Sequence, residues 1–369
     1  MKKDRIKFNI FSFISVFARS LIEIFVSLYL FKNGFSIKYI LLFYLLENLF
    51  AIFLSYMFVR IGEKYKYSII MYIGIISFVA LQVILNNVIN SIPYLLLISF
   101  LYSVYRRGYW VSRRFYITSV IPQRDSSESF SIILILAQLS SIASGYLGAI
   151  LLDNFSILSV TIISSVLLFI SVIPLIGIKY QSTNIKIELI KNIKKYDKRN
   201  YLAFSLYELG NLLTFLFPIY VAIYIQNSYV MAGSINAVSN VAIILFIFLY
   251  GKIIKKKNYF VLSSMLFIIM CMSKLFLYNY FILVIYFFEG IVKVMQNQSA
   301  NKIYFENRNG MDLTHYNLIY QLLESIVRVV VVIPLLFMSN IRIMIMFVLI
   351  IISIELLVYN KMKKSKKLC

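Results

Sequence analysis

Apolar runs of about twenty residues recur along the whole chain, each closed by a short polar interval, and none shows strand-period alternation. Such runs predict helices that cross a hydrocarbon layer about 30 Å thick. Six fall before the midpoint, at about 8–31, 37–59, 67–87, 92–112, 129–152 and 156–178. Six follow it, at about 201–225, 229–251, 259–277, 281–298, 316–338 and 341–360. Between them lies the longest hydrophilic interval, residues 179–200, in which seven Lys and Arg outweigh Glu188 and Asp197. The predicted architecture is an all-α membrane protein with twelve transmembrane helices. They form two six-helix pseudo-repeat halves, 1–178 and 201–369, joined by the cytoplasmic basic linker 179–200. In that linker Ile185, Leu189 and Ile193 recur at i, i+4 and i+8, the spacing of an amphipathic helix lying on a membrane surface. A solvated coil is the alternative.

Composition removes the soluble classes. The 369 residues are 61% apolar, with a mean hydropathy of +0.84, against about 45–50% apolar for soluble domains. The net charge of +22 would fit nucleic acid, but its distribution does not. Lys and Arg gather in alternate short loops: Arg60, Lys64 and Lys66; Arg113, Arg114 and Arg124; the linker; Lys252 to Lys257; and the tail from Lys361. The opposite loops hold little beyond Lys32, Lys38 and Arg342. This asymmetry places both termini and the linker in the cytoplasm, and a bacterial plasma membrane is the expected location. The first apolar run contains Arg19 and Glu23 and lacks a small-residue cleavage site, so it reads as a retained span. Cys271 and Cys369 form no disulfide or metal pattern. The sole histidine, His315, and the lack of a glycine-rich phosphate loop argue against an enzyme or a nucleotide-driven pump. No cofactor and no metal are expected.

The halves share a weak internal similarity. At an offset of 192 residues Asn48 falls on Asn240, and both spans end in basic turns, VRIGEKYK and GKIIKKK. The loop after span two runs Ser55-Tyr-Met-Phe-Val59-Arg60-Ile61-Gly62-Glu63-Lys64. It resembles the G-x-x-x-D-R-x-G-R-[RK] motif of the major facilitator superfamily of secondary transporters, matching at Arg60, Gly62 and Lys64 and departing at Ser55 and Val59. Span five carries SSIASGYLG, similar to the antiporter motif of that family at Gly145 and Gly148 but without its proline. The resemblance implies that helices one, four, seven and ten line a central cavity, that two, five, eight and eleven flank it, and that three, six, nine and twelve face lipid.

Intramembrane charge follows that scheme. Charged groups cost about 2.5–3.5 kcal/mol each at a span centre on insertion scales, so their positions carry information. They fall at Arg19 and Glu23 in span one, Glu47 in span two, and Arg106 and Arg107 in span four. The second half has Glu208 in span seven, Glu289 and Lys293 in span ten, and Glu324 and Arg328 in span eleven. Spans three and six have none; span nine has only Lys274, expected near its outer end, and span twelve only Glu355. Arg19/Glu23, Glu289/Lys293 and Glu324/Arg328 share a helix face at i, i+4. The candidate substrate-cavity residues are Arg19, Glu23, Asn48, Arg106, Trp110, Asn211, Asn240 and Lys293. Glu23, Glu208 and Glu289 are the candidates for proton coupling, since a desolvated carboxylate can exchange a proton. Arg106, Trp110 and Arg113 form one stripe, and a guanidinium beside an indole can clamp a carboxylate or phosphate.

The reading is a monomeric secondary transporter of a small organic solute working by alternating access, with proton coupling and a lean to efflux. Two alternatives stay open: a non-transporting sensor or immunity-type protein, and a lipid-linked flippase.

Overall fold

The structure, a computed structural model, describes residues 2–120, 126–175, 198–253, 259–276, 281–306 and 313–365. Residues 179–197 of the linker, with Ile185, Leu189 and Ile193, lie outside the described residues.

Thirteen helices carry the described chain. They are α1 (Lys2–Ser20), α2 (Val26–Lys32), α3 (Ile37–Lys64), α4 (Tyr67–Leu85), α5 (Ile92–Val120), α6 (Ser126–Asn154) and α7 (Ile157–Val172). After the linker come α8 (Lys198–Tyr224), α9 (Tyr229–Ile253), α10 (Phe260–Phe276), α11 (Ile282–Glu306), α12 (Leu313–Leu335) and α13 (Ile341–Ser365). Helices α1 and α2 belong to one span, so the helices make twelve crossings. Among the described residues nine segments are long and apolar enough to cross a membrane. Three helices are absent from that set: α10, which is apolar but shorter, and α5 and α11, which carry Arg106/Arg107 and Glu289/Lys293.

Local chemistry sets the turns. Gly34 has φ +86° after α2, and the Phe35 amide donates to the Leu30 carbonyl at 3.1 Å, the bond pattern of a helix closed by a left-handed glycine. Ser36 then caps α3, its hydroxyl accepting from the Tyr39 amide at 3.4 Å. The surface is inverted relative to a soluble protein. Phe53, Ile76, Val330, Ile350, Leu357 and Phe337 are exposed, while Glu47, Asn48, Arg107, Glu208, Lys274, Glu289 and Arg328 are buried. Lipid accepts the first set, and the second is affordable only where partners are at hand.

The chain forms two compact units, Met1–Ile187 with Ser228–Ala237, and Glu188–Asn227 with Val238–Cys369. In the first unit α5 packs against α3 and α4, and α1 against α6 and α7. In the second, α8 packs against α12 and α13, and α10 against α11 and α13. The contacts α1 with α7 and α8 with α13, like α4 with α5 and α10 with α11, join equivalent spans of the two sequence halves.

The contact of α4 with α5 is backbone on backbone. A Cβ on Gly108 would lie 2.8 Å from the Ile70 carbonyl and 3.0 Å from Gly74 Cα, with no flexible side chain to move aside. Gly108→Leu is therefore expected to cost at least the ~1–3 kcal/mol typical of overpacking. Thermal unfolding in detergent, with Ser99→Ala as a small buried control, measures it. An unchanged midpoint would contradict the close packing.

Candidate functional site

In the first unit the charged groups gather around a break in span one. Between Ser20 and Val26 the α-helix gives way to a 3-10 turn over Glu23–Phe25. Gly148 of α6 lies against this break, and a Cβ there would overlap the Leu21 backbone. Arg19 Nη1 donates to Glu23 Oε2 at 2.9 Å, and the Tyr105 hydroxyl donates to the same oxygen at 3.3 Å. The Arg19 guanidinium stands 5.0 Å from the Tyr109 ring centre and 5.1 Å from that of Trp110. Arg113 approaches the Trp110 ring at 5.1 Å. The Tyr109 hydroxyl lies 3.1 Å from Ser15 Oγ on α1.

One helix away, Arg106 Nη1 donates to both oxygens of Glu47, at 3.1 and 3.2 Å. Asn48 Nδ2 donates to Glu47 Oε2 at 2.7 Å and to the Tyr44 carbonyl at 2.7 Å. Arg106, expected as a clamp for solute, is thus committed to a wholly buried carboxylate. Asn48 is occupied on its donor side, and its Oδ1 is buried without a hydrogen-bond partner among the described residues.

The second unit holds two buried networks. Glu208 accepts from Arg328 Nη2 at 2.6 Å, from the Tyr320 hydroxyl at 3.0 Å and from Asn211 Nδ2 at 3.2 Å. The same Arg328 nitrogen lies 2.9 Å from Glu324 Oε1. Glu289 sits between two lysines, with Lys274 Nζ at 2.6 Å and Lys293 Nζ at 3.4 Å. The rings of Phe217 and Tyr286 stand 4.1 and 3.8 Å from Lys274 Nζ. All three i, i+4 pairs are ion pairs in the structure.

Two pairings run between helices and are not legible from either helix alone. Lys274 lies in the last turn of α10, as expected, and is buried on Glu289 of α11, whose carboxylate at 2.6 Å offsets the cost of taking the ammonium out of water. Glu208 has no basic neighbour on its own helix, yet α12 brings it Arg328. The two charges on the nominally lipid-facing spans nine and twelve therefore turn inward. Lys274 reaches α11, and Glu355 Oε1 accepts from Ser205 Oγ of α8 at 2.8 Å. Sequence reasoning also missed Tyr105 and Tyr320, whose hydroxyls are indistinguishable in sequence from the chain's many other tyrosines. Gln321 is buried with neither side-chain atom hydrogen-bonded among the described residues. Asn240 is buried on α9, and Lys293 is the most exposed group of the Glu289 cluster.

Arg60, Gly62 and Lys64, read from sequence as a loop, instead lie in the last turns of α3, which continues to Lys64 before the short turn at Tyr65 and Lys66. Arg60 stands 5.0 Å from the Tyr56 ring and Lys64 5.1 Å from that of Tyr65. Gly62 faces the buried Tyr67 ring, which stacks on Phe115 at 4.0 Å.

Twelve crossings, a lipid-matched exterior and an ionised interior define a polytopic helical membrane protein of transporter architecture. The chain belongs to the major facilitator superfamily, whose sequence profile matches residues 8–332, and membership points to a transporter rather than an enzyme. The fold is similar to that of a bacterial homologue of the iron transporter ferroportin in an outward-facing state (TM-score 0.69, 9% identity, covering 98% of this chain and 99% of that one). It is also similar to the fucose:proton symporter of E. coli (TM-score 0.66, 13% identity, 96% and 97% covered). No curated protein sequence matches the chain.

Proposed function

We propose that the protein moves a small organic solute by alternating access, as a monomer in a bacterial plasma membrane with both termini cytoplasmic, and that Glu23 is its proton-exchanging carboxylate. The observation that carries the choice of Glu23 is its setting. It lies at the break in span one with its side chain 17% exposed, whereas Glu289 is 1% and Glu208 3% exposed. Glu208 is held by Arg328, Tyr320 and Asn211, and Glu289 by two lysines. Glu23 has one cation and one phenol, so protonating it breaks a single ion pair. A helix break beside a partly exposed carboxylate also matches how transporters present groups to a solute. The direction we assign is export, resting on the motif residues Arg60, Gly62 and Lys64 and on the glycines of span five.

Proteoliposomes enclosing a pH-sensitive dye test the reading against a panel of small organic solutes. A transported solute is expected to move protons through the wild-type protein. Glu23→Gln should lower that proton flux by about tenfold or more, the scale set by losing the proton-carrying group. Solute exchange without a pH gradient should persist. Proton flux unchanged in Glu23→Gln removes Glu23 from the coupling, and a panel in which nothing moves removes transport.

A further inference from the structure

We propose that Arg19, Trp110 and Arg113 form a binding site for the anionic group, carboxylate or phosphate, of a small organic solute. The purpose of the site rests on the transport reading above; its chemistry does not. The sole tryptophan of the chain is Trp110, and two guanidinium groups from different helices stand 5.1 Å from its ring centre. Arg19 comes from the broken span one and Arg113 from the next turn of α5.

Two described carboxylates of this region, Glu23 and Glu47, are already engaged. Glu23 accepts from Arg19 and Tyr105, and Glu47 gives both oxygens to Arg106. Arg113 has no carboxylate partner among the described residues. It is nevertheless buried, and its Nε has no hydrogen-bond partner among the described residues. Arg19 Nε is likewise buried and unpartnered, because Glu23 takes only the Nη1 corner of that guanidinium. An arginine that anchors a helix at the membrane surface extends its head towards water or lipid phosphate. Arg113 turns inward onto an indole instead. The group that best completes a buried cation with unused N–H donors is an anion able to accept several hydrogen bonds, because it supplies both the charge and the acceptors. Glu23 already shows that Arg19 takes a carboxylate at this point. The rings of Trp110 and Tyr109 provide apolar wall for the organic part of a ligand.

Because Trp110 is the only tryptophan, its intrinsic fluorescence reports on this site alone. The experiment uses the full chain in neutral-detergent micelles, titrated separately with benzoate, its uncharged analogue benzamide, inorganic phosphate and phosphatidylglycerol. The expected result is a saturable change in emission with benzoate or phosphate and none with benzamide. Arg113→Gln should weaken that response about tenfold or more, the worth of one charge-assisted hydrogen bond, and Arg113→Lys should restore most of it. Equal responses to benzamide and benzoate overturn the proposal without recourse to any variant. So does a midpoint unchanged by Arg113→Gln, or a response confined to phosphatidylglycerol, which would make the pocket a lipid-headgroup contact. Binding of benzoate by a protein that moves no solute in proteoliposomes would remove the transport reading and leave the anion site standing.

Discussion

Replacing Arg328 with leucine is expected to be among the most damaging single changes in the second unit. One guanidinium nitrogen lies 2.6 Å from Glu208 and 2.9 Å from Glu324, and all three residues are buried. The substitution leaves two carboxylates facing each other in an apolar bundle, where removing one partner of a buried pair costs about 3–5 kcal/mol. Size-exclusion profile and thermal unfolding in detergent are the measurements, with aggregation or a sharply lowered midpoint expected. A triple variant, Glu208→Gln with Glu324→Gln and Arg328→Leu, should recover much of the loss, since it strands no charge. If Arg328→Leu alone is as stable as the parent, the network does not hold the bundle together.

The second large effect concerns Arg106. Its Nη1, shared between the two Glu47 oxygens, neutralises a carboxylate with no solvent exposure. Arg106→Ala is expected to cost about 3–5 kcal/mol by the same argument, whereas Glu47→Leu with Arg106→Leu should be closer to the parent. The comparison separates a structural role from solute binding. A guanidinium that clamps solute would be missed in both variants, once transport is normalised to folded protein. One that only neutralises Glu47 would be missed in the single variant and not in the double.

Much of the fold was legible because a membrane imposes one strong rule, span length, that acts locally along the chain. The i, i+4 pairs of the second unit were legible for the same reason, since helical spacing alone brings Glu289 to Lys293 and Glu324 to Arg328; Arg19 meets Glu23 although the α-helix breaks between them. What the sequence hid lies between helices. Nothing local in residues 18–25 announces the break in span one, which has neither proline nor glycine; the glycine that accommodates it is Gly148, on another helix. The partner of Glu208 lies 120 residues away. Lys274 shows the same limit, because its position near a helix end was legible and its distance to Glu289 was not. Arg106, read as available to solute, required knowledge that α3 presents Glu47 to it. The two charges on spans nine and twelve, Lys274 and Glu355, lean into the neighbouring polar helices.

The 120-residue separation between Glu208 and Arg328 has a consequence in time. At synthesis rates of about 5–20 residues per second, Glu208 emerges roughly 6–24 s before the arginine that neutralises it. Arg19 and Glu23, four residues apart, leave the ribosome within a second of each other and can enter the bilayer already paired. During that interval Glu208 has Asn211, three residues on, as its nearest partner, so the second unit must hold an unneutralised acid at the membrane until α12 arrives. Its assembly is therefore paced by the ribosome in a way that the insertion of span one is not.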